Sequence, residues 1–209
     1  MGDKVKYCIF TGGEITDYSV ISVRYDDTVV CADSGIYHIQ KLGITPDVVI
    51  GDFDSYSGNI NFNCEIIKCQ PEKDDTDTIM CVKYAISKGA DQITIYGGLS
   101  GRLDHTFANL QTLRYCAERN VSAVIEDGFN RALIQSNGIS EYERNDSMYF
   151  SIFALTDTVM IERLSGVKYP LEKYCLTANF PLGVSNEIIE QKAILKISEG
   201  YALIIFSKK

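Results

Sequence analysis

The feature that most restricts this chain is a change of rhythm past its middle. Over the first 125 residues, short β-rich runs alternate with helical patterns. Residues 6–10, 28–32, 47–50, 65–68, 92–96 and 121–125 read as strands. Residues 34–42, 76–88 and 105–119 read as helices, the first two closed by Gly43 and Gly89. Such alternation predicts an α/β layer with a mostly parallel sheet. Beyond that point, residues 131–135, 147–155, 159–162 and 193–206 read as strands with no helix between them. They predict an all-β antiparallel sandwich. The short turn Glu199-Gly200 predicts a hairpin inside the last run, and 135–146 reads as a polar loop. A boundary near residue 126 thus separates residues 1–125 from 126–209.

The strand ends carry the chemistry. Asp33 follows the second strand, and Asp52 and Asp54 follow the third. Asp74, Asp75 and Asp77 follow the fourth, and Arg102 and Asp104 the fifth. Strands of a parallel sheet end at one edge, where open α/β sheets bind ligands, so these residues are expected in one crevice. Carboxylates gathered there repel one another unless a cation intervenes. Mg²⁺ suits such hard oxygen donors and also carries polyphosphate oxygens. The bland reading is open too: acids just before residue 78 would cap a helix, and Asp104 would be the N-cap of the next one.

Gly97-Gly98-Leu99-Ser100-Gly101-Arg102 is a glycine-rich turn between a strand and a helix. Its backbone N–H groups could approach phosphate oxygens, and Arg102 would add a fork of donors. A tight turn with no ligand would look the same. Neither Gly-x-x-x-x-Gly-Lys-Ser/Thr nor Gly-x-Gly-x-x-Gly occurs, which disfavours P-loop and dinucleotide sites. No nucleophile elbow or Cys–His pair is present. His105, a lone histidine at a helix start, could contact nucleotide or simply hold structure.

Charge and cysteine usage narrow the class further. The net charge is −8, with eight acids against two lysines between Pro46 and Asp77, so nucleic acid is an unsuitable partner. Seven scattered cysteines with no CxxC spacing read as reduced thiols, not a zinc site or a disulfide frame. No apolar run is long enough to span a membrane and no export signal is read at the start, so a cytoplasmic location is expected. The residues alone describe a metal-bridged polyphosphate laid across strand ends, where transfer needs mainly positioning and charge neutralisation.

Five segments then carry a resemblance. Ala32-Asp33-Ser34-Gly35 with Gly43 to Ser55, Pro71 to Asp77, Gly97 to His105 continuing to Asn109, Gly166 to Leu171, and Val184 to Glu187 stand in the order seen in thiamine pyrophosphokinases. One departure is Asp33-Ser34-Gly35 in place of the commoner Asp-Gly-Gly. The resemblance implies an ATP- and Mg²⁺-binding catalytic domain followed by a thiamine-binding, dimerising sandwich. It implies transfer of diphosphate from ATP to thiamine, with AMP as the second product, by a homodimer. It implies Mg²⁺ on Asp52, Asp54 and Asp77, with Asp74, Arg102 and Asp104 among the catalytic groups. Asp33, Gly98, Ser100, Arg102, His105 and Asn109 would serve the nucleotide, and Ser185 and Asn186 the thiamine. The competing readings are another Mg²⁺-dependent nucleotide hydrolase or transferase, and a non-catalytic thiamine or nucleotide sensor.

Overall fold

The computed structural model describes residues 4–53, 62–69 and 75–209, so Asp54 and Asp74 lie outside the described residues. The chain divides into two compact units, Met1–Gly128 and Phe129–Lys209.

In the first unit, β1 (Lys6–Phe10), β2 (Thr28–Ala32), β3 (Val48–Gly51), β4 (Glu65–Lys68), β5 (Gln92–Tyr96) and β6 (Ser122–Glu126) line up as β4-β3-β2-β1-β5-β6. Every pairing in this set is parallel. The helices are α1 (Ile36–Leu42), α2 (Asp77–Ser87) and α3 (Leu103–Ala117). Residues Asp33–Gly35 form a 3₁₀ turn ahead of α1, so the expected helix from residue 34 begins as a tighter coil. Gly43 closes α1 at φ +64°, a left-handed conformation that suits glycine. The central strands are buried on both faces, as parallel strands are, and Cys8 and Cys31 serve there as small core residues. Burial pushes the Cys8 thiol up to about 12. All seven cysteines are free thiols.

The second unit is antiparallel. One sheet is β7 (Asn130–Gln135), β13 (Ala202–Lys208) and β9 (Met148–Ala154), in that order. The other runs β11 (Leu171–Thr177), β10 (Thr158–Ser165), β12 (Lys192–Glu199), β8 (Gly138–Glu143). A shared core of Phe150, Ile152, Ile161, Leu164, Leu195 and Ile204 joins the two.

Two sequence expectations change here, and one strand went unread. The polar stretch 135–146 contains β8, whose inward Tyr142 stacks near Phe150 and Phe206 and donates to Gln135 Oε1 at 2.8 Å. Residues 171–177 form β11, an edge strand whose polar face hid it. The strands flanking Glu199-Gly200 do not pair as a hairpin: β12 belongs to one sheet and β13 to the other. Gly200 makes that corner at φ +92°, where a Cβ would fall 2.4 Å from the Thr158 carbonyl.

Among the described residues, no helix is long and apolar enough to cross a membrane.

Candidate active site

The first unit's sheet reverses its build order between β1 and β5. Strands β2 to β4 extend to one side, and β5 and β6 to the other. Such a switch point leaves a crevice beyond the strand ends. Here the crevice has a volume of about 550 Å³. Its floor is two glycine segments in near contact: a Cβ on Gly13 would lie 1.7 Å from the Gly97 carbonyl oxygen, and one on Gly97 would lie 2.5 Å from that of Gly13. Backbone therefore approaches backbone where no side chain fits.

Many of the expected residues converge here. Asp33, Asp77, Gly98, Ser100, Arg102, His105 and Asn109 all line the crevice. Asp33 is buried and held at φ +40°, an uncommon conformation for a residue with a side chain. It packs against Gly51, where a Cβ would stand 3.0 Å from the Asp33 Cβ, so the ends of β2 and β3 meet closely. Asp52 follows β3 and is half-buried, and Phe53 after it sits at φ +64°. The Asp33 turn and the turn after Asp52 thus each hold a residue in this uncommon conformation.

The capping alternative is settled in part. Thr76, not an Asp, caps α2, its Oγ1 accepting from the Ile79 N–H at 3.3 Å. Asp77 is the first residue of the helix, and Asp75 is gripped by Lys83 Nζ at 2.6 and 2.9 Å. Asp104 is not an N-cap either, because Arg102 occupies that position in α3 without a side-chain cap bond. Instead Asp104 takes a forked pair of hydrogen bonds from Arg102, at 2.6 and 3.2 Å. That guanidinium holds the Asp104 carboxyl below its usual range. Both groups are well exposed, so the pair is weak.

Two expected nucleotide residues hold the crevice walls together. Asn109 is buried and donates to the Gly98 carbonyl at 2.8 Å. Ser100 donates to the Glu14 carbonyl at 3.1 Å. The residues missed from sequence are Thr11, Gly12, Gly13 and Glu14, which also line the crevice. The glycine pair after the first strand was the available signal. Gly12 faces Ser34, whose Oγ lies 1.9 Å from where a Gly12 Cβ would stand, so this departure from Asp-Gly-Gly fills space that Gly12 leaves.

Among the described residues, no cluster of three His, Cys, Asp or Glu is set to hold a metal. The donor chemistry fits Mg²⁺ nonetheless: Asp33, Asp75 and Asp77 supply hard carboxylate oxygens to the crevice, and no thiolate lines it.

The second unit has its own cavity of about 330 Å³, walled by Ile152, Ile161, Leu164, Leu171, Leu176 and Leu182. Tyr169 and Asn186 supply its polar lining. Asn186 is buried: its Oδ1 accepts from the Tyr169 and Glu187 N–H groups, and its Nδ2 donates to the Tyr169 carbonyl at 2.9 Å. Ser185 stands beside it at φ +56°, its N–H donating to Ser151 Oγ.

A strand-end crevice lined with glycines, carboxylates and an arginine defines a phosphate-handling α/β protein, here joined to a β-unit with an apolar pocket. Comparison carries this to the family. Residues 22–125 match the thiamin pyrophosphokinase catalytic domain, and residues 137–202 match the thiamin pyrophosphokinase vitamin B1 binding domain. The chain belongs to the thiamine pyrophosphokinase family. It is 29% identical to the thiamine pyrophosphokinase of Bacillus subtilis, over 84% of this chain and 85% of that protein. It is 27% identical to thiamin pyrophosphokinase 1 of Caenorhabditis elegans, over 96% and 87%. The crystal structure of the Bacillus subtilis protein superposes with a TM-score of 0.88 at 25% identity, covering 98% of this chain and 99% of that one.

Proposed function

We propose that this chain carries out the reaction for which its family is named, moving a diphosphate from ATP to the hydroxyl of thiamine and releasing AMP. The observation that carries the reading is the crevice at the β1/β5 switch point, where glycine backbone, Arg102 and several carboxylates meet. Phosphoryl-type transfer asks a protein mainly to position and to neutralise, and these groups do both.

In the proposed mechanism the thiamine hydroxyl attacks the β-phosphorus in line, and AMP departs. Asp52, Asp54 and Asp77 would hold Mg²⁺, which when bound neutralises charge developing on the transferred group. Arg102 leaves Asp104 to grip the phosphates with both arms of its guanidinium, and the released Asp104 carboxylate, or Asp74, accepts the hydroxyl proton. Asp33, Gly98, Ser100, His105 and Asn109 shape the nucleotide's bed. The apolar cavity of the second unit takes the thiamine rings, with Ser185 and Asn186 at its edge. Asn186 acts by clamping the Tyr169 segment, since its amide is already committed there. Likeness to the family supports a homodimer working in the cytoplasm, with residues 1–125 as catalytic domain and 126–209 as thiamine-binding and dimerising domain.

The test is an assay of purified protein with thiamine, ATP and Mg²⁺, reading both products. Thiamine diphosphate and AMP should form in equal amounts, cease with chelator, and fall by about a hundredfold or more in Asp77→Asn. ADP or free phosphate without thiamine diphosphate would refute the reading in favour of a hydrolase. ATP binding without any product would favour a sensor.

A further inference from the structure

The segment after β1 is laced in place at three successive points. Thr11 donates from its N–H and its hydroxyl to the Tyr96 carbonyl, at 3.0 and 3.2 Å. The Gly13 carbonyl oxygen lies 2.8 Å from His38 Nε2. The Glu14 carbonyl accepts from Ser100 Oγ. Two consecutive carbonyl oxygens in a segment that lines the crevice are therefore each capped by a side-chain donor.

The histidine's state follows from its partners. A carbonyl can only accept, so Nε2 carries the proton. Nδ1 is then the acceptor, and the Tyr18 hydroxyl 2.6 Å away donates to it. In the neutral ring both nitrogens are then committed, as the Nε2–H tautomer. Burial, and then the charge of Lys41, lower the pKa of His38 below its ordinary value. Lys41 also sits 3.9 Å above the Tyr18 ring, bracing the donor of this chain.

The need for such a brace lies in the glycines. Gly12-Gly13 has no side chain of its own to restrict its backbone, so contacts from other residues must fix the orientation of its peptide groups. A Gly13 carbonyl turned into the crevice would set a partial negative charge against an incoming phosphate. We propose that His38 is a positioning residue for the nucleotide: its Nε2–H holds the Gly13 carbonyl out of the phosphate path. The inference rests on the crevice being the nucleotide site.

The experiment measures ATP binding to the full chain by calorimetry in Mg²⁺ buffer, beside KM for each substrate and the ring ¹⁵N shifts of His38. His38→Ala should weaken ATP about tenfold while KM for thiamine stays within about twofold. His38→Gln, whose amide donates from near the Nε2 position, should recover most of that loss. The ¹⁵N shifts should report the Nε2–H form in the native chain. Native-like ATP affinity in His38→Ala, equal loss in both variants, or parallel loss for both substrates would overturn the proposal. An Nδ1–H ring in the native protein would overturn it whether or not the variants fold. Turnover is scored apart. A native chain that makes no thiamine diphosphate, while His38→Ala still loses ATP affinity, refutes the reaction and supports the role of His38. A native chain that makes it, while His38→Ala binds ATP normally, does the reverse.

Discussion

The crevice of the first unit and the cavity of the second are made from different materials. The crevice is largely backbone: Gly12, Gly13, Gly97, Gly98 and Gly101 line it, with a few polar side chains around them. The cavity is largely side chain: isoleucine and leucine wall it, and Gly183 is the one glycine among its described lining residues. The difference follows from what each would hold. Polyphosphate is met best by N–H dipoles and fixed charge at close approach, which any Cβ would block. A ring system is met best by apolar surface with one or two polar groups at an end. A backbone site should be brittle to small additions, and a side-chain site should be graded in its response to removals.

The largest effect is expected from Gly13→Ala. Its new Cβ would meet the Gly97 carbonyl at 1.7 Å, and backbone on one side must move. Destabilisation should reach the upper end of the ~1–3 kcal/mol usual for over-packing. Activity should fall about a hundredfold, because the shift is taken up at the crevice floor itself. Thermal unfolding together with kcat/KM for ATP checks both. A variant with native turnover would show that the two glycine segments are not the bed of the phosphates.

Next comes Leu176→Ala in the other unit. Leu176 is buried and walls the apolar cavity. Truncation should cost about 2–4 kcal/mol, as for other large-to-small core changes. KM for thiamine should rise a fewfold with KM for ATP unmoved, which steady-state kinetics separates. A rise in both would mean that the two sites are not as independent in their materials as they look.

The same contrast explains what was legible in the sequence. Strands β2 and β5 announce themselves by β-branched runs that stop at Asp33 and Gly97, and β1, β2, β4 and β5 are all read to the residue. Asp33, Asp77, Gly98 and Arg102 were visible because charge and glycine at a strand end are local signals. Thr11 to Glu14 were not, because nothing in the sequence says that β1 lies at the centre of its sheet. That fact depends on strand order, a long-range property. The cavity was invisible for a different reason: Ile161 and Leu176 are spaced like any core residues, and no pattern marks a core that leaves a hollow. Strand β8 was hidden because its residues are mostly exposed and only Tyr142 turns into the core. The expected hairpin failed because Glu199-Gly200 specifies a turn without specifying which sheet follows it.

The smallest effect tests whether the crevice's frame, unlike the cavity's, titrates. The groups facing His38 are the Tyr18 hydroxyl, the Gly13 carbonyl and the Lys41 ammonium. Its pKa in the folded chain is lowered from 6.5. Below 6.5 the unfolded chain therefore takes up the proton more readily than the folded one. The stability that neutral His38 contributes is thus complete above 6.5 and is lost as pH falls from there through the folded value. Protonation would put a second N–H on the ring, and Nδ1 could no longer accept from Tyr18. Between pH 7.5 and 5.5 the native chain should lose more thermal stability than His38→Gln, which keeps a donor to Gly13 but cannot titrate. Carboxylates such as Asp27, whose pKa is lowered from 3.8 by its hydrogen bonds to the Arg24 N–H and Lys6, lose their contribution only below 3.8, outside this window and equally in both chains. Subtracting the two melting curves isolates the histidine. A difference that does not change with pH would mean that the Gly13 carbonyl is held by packing against Gly97 alone, and the frame would then be as insensitive to pH as the apolar cavity.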